Sequence, residues 1–317
     1  VMRRLAADRE PGDDWVYVYN FREQHRPRAI RLPRGKAVPL RRAMADLVED
    51  LAGGLPAAFE TEEYKSRRSA LEAEGQSQQE GKISALGERA EDEDMALIRT
   101  AMGLTFAPVS EGSVVKPEVF KTWPEEDRKR VQEKIEEFQE ELNAIIQHEL
   151  PAIEKEVRDK VRQLDREVAS STIELAVKEV ANQFEGIEAI EEYLEAVRSD
   201  LNEHFHLFLQ LAQAGEQVPL TAKLEHPALR RYAVNVIDGD GPEAEDGALP
   251  VKVVEEPDPT HSNLIGRIEY QPQQGALITD HTLIKPGALH RANRGFLILE
   301  ARSVLMQPFA WEALKRA

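Results

Sequence analysis

Residues 124–168 read PEEDRKRVQEKIEEFQEELNAIIQHELPAIEKEVRDKVRQLDREV. Val131, Ile135, Phe138, Leu142, Ile145, Leu150, Ile153, Val157, Val161, Leu164 and Val168 recur every three or four positions, with Glu, Lys, Arg, Asp or Gln almost everywhere between. One narrow apolar stripe on a very polar rod is the pattern of a coiled-coil seam, not of a globular core helix. Such a stripe needs a partner, and the segment from Pro56 to Asp94 supplies one through Phe59, Tyr64, Leu71, Ile83 and Leu86. Two such segments in succession predict an antiparallel helical hairpin. Arms of roughly 40 residues reach about 60 Å at about 1.5 Å per residue, so the hairpin is expected to project. With arm one ending near Asp94 and arm two starting near Pro124, Ile83 meets Ile135, Leu86 lies near Val131 and Leu71 near Ile146. Pro151 falls inside the stripe, where it removes a helix hydrogen bond and predicts a kink.

Between the arms, Met95–Thr100 and Leu104–Val109 are short β-prone runs around Gly103, which predicts a small β-hairpin at the tip. Val114, Val115, Val119, Phe120 and Trp123 follow before arm two. Apolar groups so far from a domain core have two readings: a self-packed cap closing the coiled coil, or an adhesive surface for apolar partners. On the second reading the candidate substrate-binding residues are Leu97, Ile98, Met102, Leu104, Phe106, Val114, Val115, Val119, Phe120 and Trp123.

The chain of 317 residues, 41% hydrophobic and 31% charged, suits one or two domains with an extended part. Its net charge of −17 argues against a general nucleic-acid surface. Having no cysteine excludes disulfides, thiolate zinc sites and cysteine nucleophiles, and fits a reducing, cytoplasmic setting. No apolar run is long enough to span a membrane. Val1–Leu5 has no signal-peptide layout and reads as the end of a helix, while Trp311–Ala317 stops in helical sequence; a fragment of a longer chain is the expectation.

Trp15–Asn20 reads as a buried strand and Arg28–Leu32 as a second. Arg22, Arg26, Arg28, Arg31, Arg34, Arg41 and Arg42 form the one basic patch, either a solvated rim or a phosphate or partner surface. Leu40, Met44, Leu47, Val48 and Leu51 make an amphipathic helix ended by Gly53-Gly54. Ile187–Ala214 carries a wider stripe; its His204 and His206 lie two apart and diverge, which disfavours a metal pair. Tyr232–Ile237 and Val251–Val254 read as strands around the acidic loop Asp238–Gly247. Gly295–Glu300 has the pattern of a buried parallel strand delivering an acid to a sheet's C-terminal edge, followed by a helix from Val304 that is interrupted or entered through Pro308.

Asn263–Tyr270 (NLIGRIEY) and Leu283–Ala301 (LIKPGALHRANRGFLILEA) resemble the Lon-related proteases, in the branch whose AAA-type module carries a long helical insertion. Trp15–Phe21 with His25-Arg26-Pro27-Arg28 is similar to that family's segment just after the phosphate-binding helix. The resemblance is specific at both ends and covers the insertion by position and pattern. It implies an α+β, mostly α chain: an AAA-like α/β base in residues 1–39 and 215–317, and an inserted helical hairpin domain at 40–214 with its tip at about 95–123. It also implies a hexameric, self-compartmentalising serine protease whose peptidase domain lies beyond Ala317, so that this chain holds no catalytic residue. The expected partners are unfolded or misfolded proteins and further copies of the full-length chain, with no nucleic acid and no membrane.

Glu300 stands where the family has a metal-coordinating Asp, in a degenerate Walker B-like strand, and Ala301 stands where active ATPases carry a water-activating Glu. Without that second carboxylate no evident group orients the water for hydrolysis, which argues against ATP and magnesium turnover. The phosphate-binding loop would lie upstream of Val1; the stretch GQSQQEGKI at 75–83 imitates one, but its spacing is one residue too long and it sits within helix. No metal or other cofactor is expected in this chain. The expected role is the substrate-recognition and chaperone-like portion of a Lon-like protease. The alternatives are an architectural hairpin in the ring and a part of an active AAA+ motor.

Overall fold

The computed structural model describes residues 12–100, 103–213, 226–239, 251–273 and 275–317. The chain divides into two compact units, one of residues 1–58 and 169–317 and one of residues 59–168.

The first unit opens on β1 (Asp14–Val18), paired antiparallel with β2 (Arg28–Leu32) so that Val16 faces Ile30. Alternation sends Asp14, Val16 and Val18 inward and leaves Trp15 on the outer face. Helix α1 (Ala37–Phe59) buries Leu40, Met44, Leu47, Leu51 and Leu55. Gly53-Gly54 does not end it. Neither glycine has the positive φ of a C-terminal cap, Gly54 lies against Thr172, and burial of Leu55 rewards another turn.

The second unit is the predicted antiparallel hairpin. Thr61 caps α2 (Glu62–Glu91) by accepting the Tyr64 N–H at 3.3 Å. Then come β3 (Met95–Thr100), β4 (Gly103–Ser110) and the two-residue β5 (Ser113–Val114), in the sheet order β3-β4-β5. A short α3 (Pro117–Phe120) leads into α4 (Glu125–Ala144), and a π-helical turn (Ile145–Glu149) joins it to α5 (Leu150–Gln183), which runs on into the first unit. Arg89 meets Glu141 at 2.5 Å, Lys82 meets Glu149 at 2.8 Å, Glu74 meets Lys160 at 3.2 Å and the Tyr64 hydroxyl donates to Asp165 at 2.7 Å. The expected pairing of Ile83 with Ile135 is therefore wrong: Lys82 is set against Glu149, and Ile83 and Leu150 line the same groove. Val131 and Ile135 instead pack on the tip core formed by Leu86, Ala90, Met95, Phe106, Phe138, Leu142 and Ile145. Arm two begins beyond the end of arm one because its first turns roof the sheet. Pro151 is absorbed by the π turn, where the Leu150 N–H reaches the Ile145 carbonyl; the widened turn accommodates the ring and the missing donor.

Back in the first unit, the expected single helix is two, α6 (Glu188–His204) and α7 (His206–Gln213), broken at Phe205. Tyr232 ends a 3-10 turn (Pro227–Tyr232) instead of starting a strand, held by its hydroxyl on Asp200 at 2.7 Å and by ring stacking near Phe208 and Phe21. Strand β6 (Asn235–Asp238) completes the antiparallel sheet β2-β1-β6. The loop expected at Asp238–Gly247 lies, beyond Gly239, outside the described residues, as do Ala214 and Met102.

Strand β7 (Val253–Glu256) precedes α8 (His261–Ile265), the short strands β8 (Gly266–Ile268), β9 (Gln271–Gln273), β10 (Ala276–Ile278) and β11 (Ile284–Pro286), and α9 (Ala288–Arg291). Strand β12 (Phe296–Leu299) then pairs parallel with β7, Phe296 opposite Val253 and Leu299 opposite Glu256. The parallel strand is as expected, but its full burial is not: Ile298 is 38% exposed, since β12 has hydrogen-bonded neighbours on one side only among the described residues. Leu264, Ala288, Val304 and Ala310 form the small core beneath it. Helices α10 (Ala301–Met306) and α11 (Ala310–Arg316) are separated at Pro308, with Phe309 in the left-handed region at φ 65. No helix among the described residues is long and apolar enough to cross a membrane.

Candidate functional site

Two regions carry the residues singled out by the sequence. In the first unit, β12 delivers Glu300 past the C-terminal edge of the β7–β12 pair, where it is exposed and stands at the N-cap of α10, accepting a hydrogen bond from the Ser303 hydroxyl at 2.6 Å. The parallel neighbour ends on a second carboxylate, Glu256, which is buried and bound by Arg291 at 2.9 Å. A cavity of about 960 Å³ bounded by Trp15, Ile237, Asp238, His261, Leu289 and Phe309 has neither acid in its lining.

A polar cluster escaped the sequence reading. Asp14, wholly buried, accepts the Ala37 N–H at 2.9 Å and so caps the start of α1, while Arg34 lies 3.4 Å from Asp14 and 3.9 Å from Asp238. Lys252 closes the set on Asp238 at 2.6 Å. Burial pushes the Asp14 carboxyl up, against the lowering effects of the Ala37 N–H and Arg34. Two acids and two bases thus neutralise one another between β1, β6 and the entry to β7, a structural role. The signal for it is weak in one sequence, because its members are far apart along the chain. His281 is a second buried polar group: its Nε2–H donates to the Ala233 carbonyl at 2.7 Å, Nδ1 has no partner among the described residues, and burial pushes its pKa down.

The basic patch is mostly neutralised within the first unit. Arg28 meets Glu192 at 2.5 Å, with Arg22 on the same carboxylate at 4.0 Å; Arg31 is paired with Asp13, and Arg34 is in the buried cluster. That favours the rim reading over a phosphate surface.

In the second unit, the tip residues sort into two sets. Phe106 is 4% exposed and packs its ring 5.3 Å from Phe138, with Leu97 and Leu104 against the same core. Ile98 is half-buried on the opposite face of β3. Beyond this core, Val114 is 44% and Val119 51% exposed. Val115, Phe120 and Trp123 are half-buried, the last two with ring centroids 5.5 Å apart. The inner face of the tip sheet is therefore a cap, and the 113–123 segment has apolar side chains that this core does not bury.

Residues 250–317 match the family model described as a LonB-like AAA domain, and residues 14–47 match the one described as a Lon-like LonC helical domain. The first spans β7 to α11 and includes Glu300; the second spans β1, β2 and the first half of α1. No curated protein matches the chain. The matches tie the chain to Lon-type, protease-related machinery and lie on the segments whose motifs carried the resemblance. In these two segments, residues 14–47 and 250–317, the chain is similar to Lon-related proteins.

Proposed function

We propose that this chain is the substrate-handling part of a Lon-like serine protease, in which the 59–168 arm captures unfolded protein above the degradation chamber of a hexameric, cytoplasmic parent. The observation that carries the reading is the surplus of apolar surface at Val114, Val119, Phe120 and Trp123, beside a tip whose own core is already closed by Phe106, Phe138 and Leu142. A cap needs only the inner face of the sheet; the remainder suits transient contact with exposed apolar segments. The acidic, heavily charged shaft keeps such a surface in solution. Ala301 beside Glu300 supports a holding role without ATP turnover.

The test is protection of a denatured client from aggregation by the chain in which Val114, Val119, Phe120 and Trp123 are all replaced by Ser. Burying one such side chain contributes about 1.5–3 kcal/mol, so the set is large beside any weak client affinity. Protection should vanish while far-UV helicity stays unchanged. A variant that protects as well as the parent would make the hairpin architectural.

A further inference from the structure

The tip sheet ends in β3, which among the described residues has β4 as its one hydrogen-bonded neighbour. The ladder shows which backbone groups point away from β4. The Val109 N–H donates to the Asp94 carbonyl at 2.7 Å, and Asp94 and Val109 continue the register in which Met95 faces Pro108 and Leu97 faces Phe106. On the other side the Val115 N–H donates to Pro108 at 2.8 Å, so Pro108 is turned toward β5. Hydrogen-bonded and non-hydrogen-bonded pairs alternate along an antiparallel ladder. Ala96 and Ile98 therefore bond to β4, while the N–H and C=O of Met95, Leu97 and Arg99 point away from it, with no partner among the described residues. Met95 is buried in the tip core, so Leu97 and Arg99 are the positions open to a guest. The edge is not blunted by proline or a bulge, and only Arg99 along it is charged.

We infer that the β3 edge takes an extended, β-prone segment of an unfolded polypeptide as a fourth strand. This deepens the reading of the arm as a client-holding device and rests on it. The two donors and two acceptors of Leu97 and Arg99, at two-residue spacing, fit an extended backbone and nothing helical or compact. The half-buried Ile98 beside the edge favours apolar or β-branched guest residues on that face. Charge sets direction: exposed Asp92 and Asp94 stand at the start of β3 and exposed Arg99 near its end. An antiparallel guest is matched when its acidic end comes first and its basic end last. Apolar side chains at Val114 and Val119 attract many segments, whereas the edge selects those able to become a strand.

The probe is a fluorescent peptide of sequence Asp-Val-Thr-Val-Ile-Lys, compared with the same peptide N-methylated at alternate residues on either phase. The variant is Arg99→Pro, which removes an outward N–H at an exposed position and leaves the β3–β4 bonds in place; unchanged circular dichroism verifies the fold. Binding should weaken at least tenfold for one methylation phase and not the other, and by a similar factor in Arg99→Pro. Equal binding of both methylated peptides, with Arg99→Pro matching the parent, would overturn strand addition; if the parent still protected denatured client, the holding role would survive on the 113–123 surface. Loss of client protection in the Ser variant together with unaltered phase-selective peptide binding would separate the two in the other direction. A tip-paired dimer seen by light scattering, which the peptide fails to dissolve, would assign the edge to a second copy and also overturn the proposal.

Discussion

The two compact units are held together by different physics. The 59–168 arm has one concentrated apolar core at its tip and, along the shaft, ion pairs such as Arg67–Glu167 and Lys82–Glu149 between half-exposed side chains. Such pairs contribute about 0–1 kcal/mol each. The base buries whole aromatic rings, Tyr193, Phe205, Phe208 and Tyr232, and encloses a charged quartet around Asp14. The lesson concerns where each unit is vulnerable. The arm is sensitive to lost volume and helix approach, whereas the base is sensitive to an unbalanced charge.

The strongest way to break that contrast is to remove Asp14. Asp14→Ala removes the buried acceptor of the α1 N-terminus and one of the two buried carboxylates beside Arg34, and should destabilise the base by about 3–5 kcal/mol. In the arm, Leu142→Ala should cost about 2–5 kcal/mol through a cavity at the tip core. Denaturant titrations followed by the fluorescence of Trp15 and Trp123, each kept as a single tryptophan, should show the first loss in the base signal and the second in the arm signal. Equal effects of both substitutions on both probes would mean the units unfold as one.

A smaller effect sharpens the account of the shaft. Gly75 and Gly81 lie in the same helix, yet a Cβ at Gly75 would overlap Val157 while one at Gly81 meets nothing within 4 Å. Gly81→Ala should stabilise by roughly 0.5–1 kcal/mol through helix propensity. Gly75→Ala should lose that gain to overpacking and end about 1–2 kcal/mol less stable. Thermal midpoints that move together would contradict the close approach of α2 and α5.

The smallest effect belongs to the base. Burial lowers the His281 pKa below the ordinary 6.5, with Asp280 acting in the opposite sense. The unfolded chain then takes up a proton that the folded one refuses, so stability is lost as pH falls through the ordinary histidine range. Between pH 7 and pH 6 this is at most roughly 0.7 kcal/mol. His281→Asn, able to keep a donor on Ala233, should flatten that slope relative to the parent; an unaltered slope would assign it to other histidines.

What the sequence made legible follows the same division. Strands β3 and β4 were readable because β-prone alternation brackets Gly103, and the β12 strand because four apolar residues run into Glu300. The hairpin itself was readable from the stripe. Its register was not: Val131 and Ile135 look like seam residues, and only the folded tip shows that they pack on its core. The continuation of α1 was hidden because Gly53-Gly54 looks like a stop when the burial of Leu55 is unknown. The glycine at 75 imitates a phosphate loop in sequence and turns out to make room for Val157. At the candidate site, apolarity marked the whole tip, but only burial separates Phe106, which closes the core, from Val119, which does not.

The central claim is that unfolded protein is held at the tip, and the absence of native cysteine allows a direct test. Single variants Val119→Cys at the tip, Arg162→Cys on the shaft and Arg26→Cys in the base, each labelled with a benzophenone photocrosslinker, are mixed with a denatured client and irradiated. The account predicts client crosslinks from position 119, at least several-fold above those from 162 and 26. Equal yields at all three positions, or a maximum in the base, would contradict it.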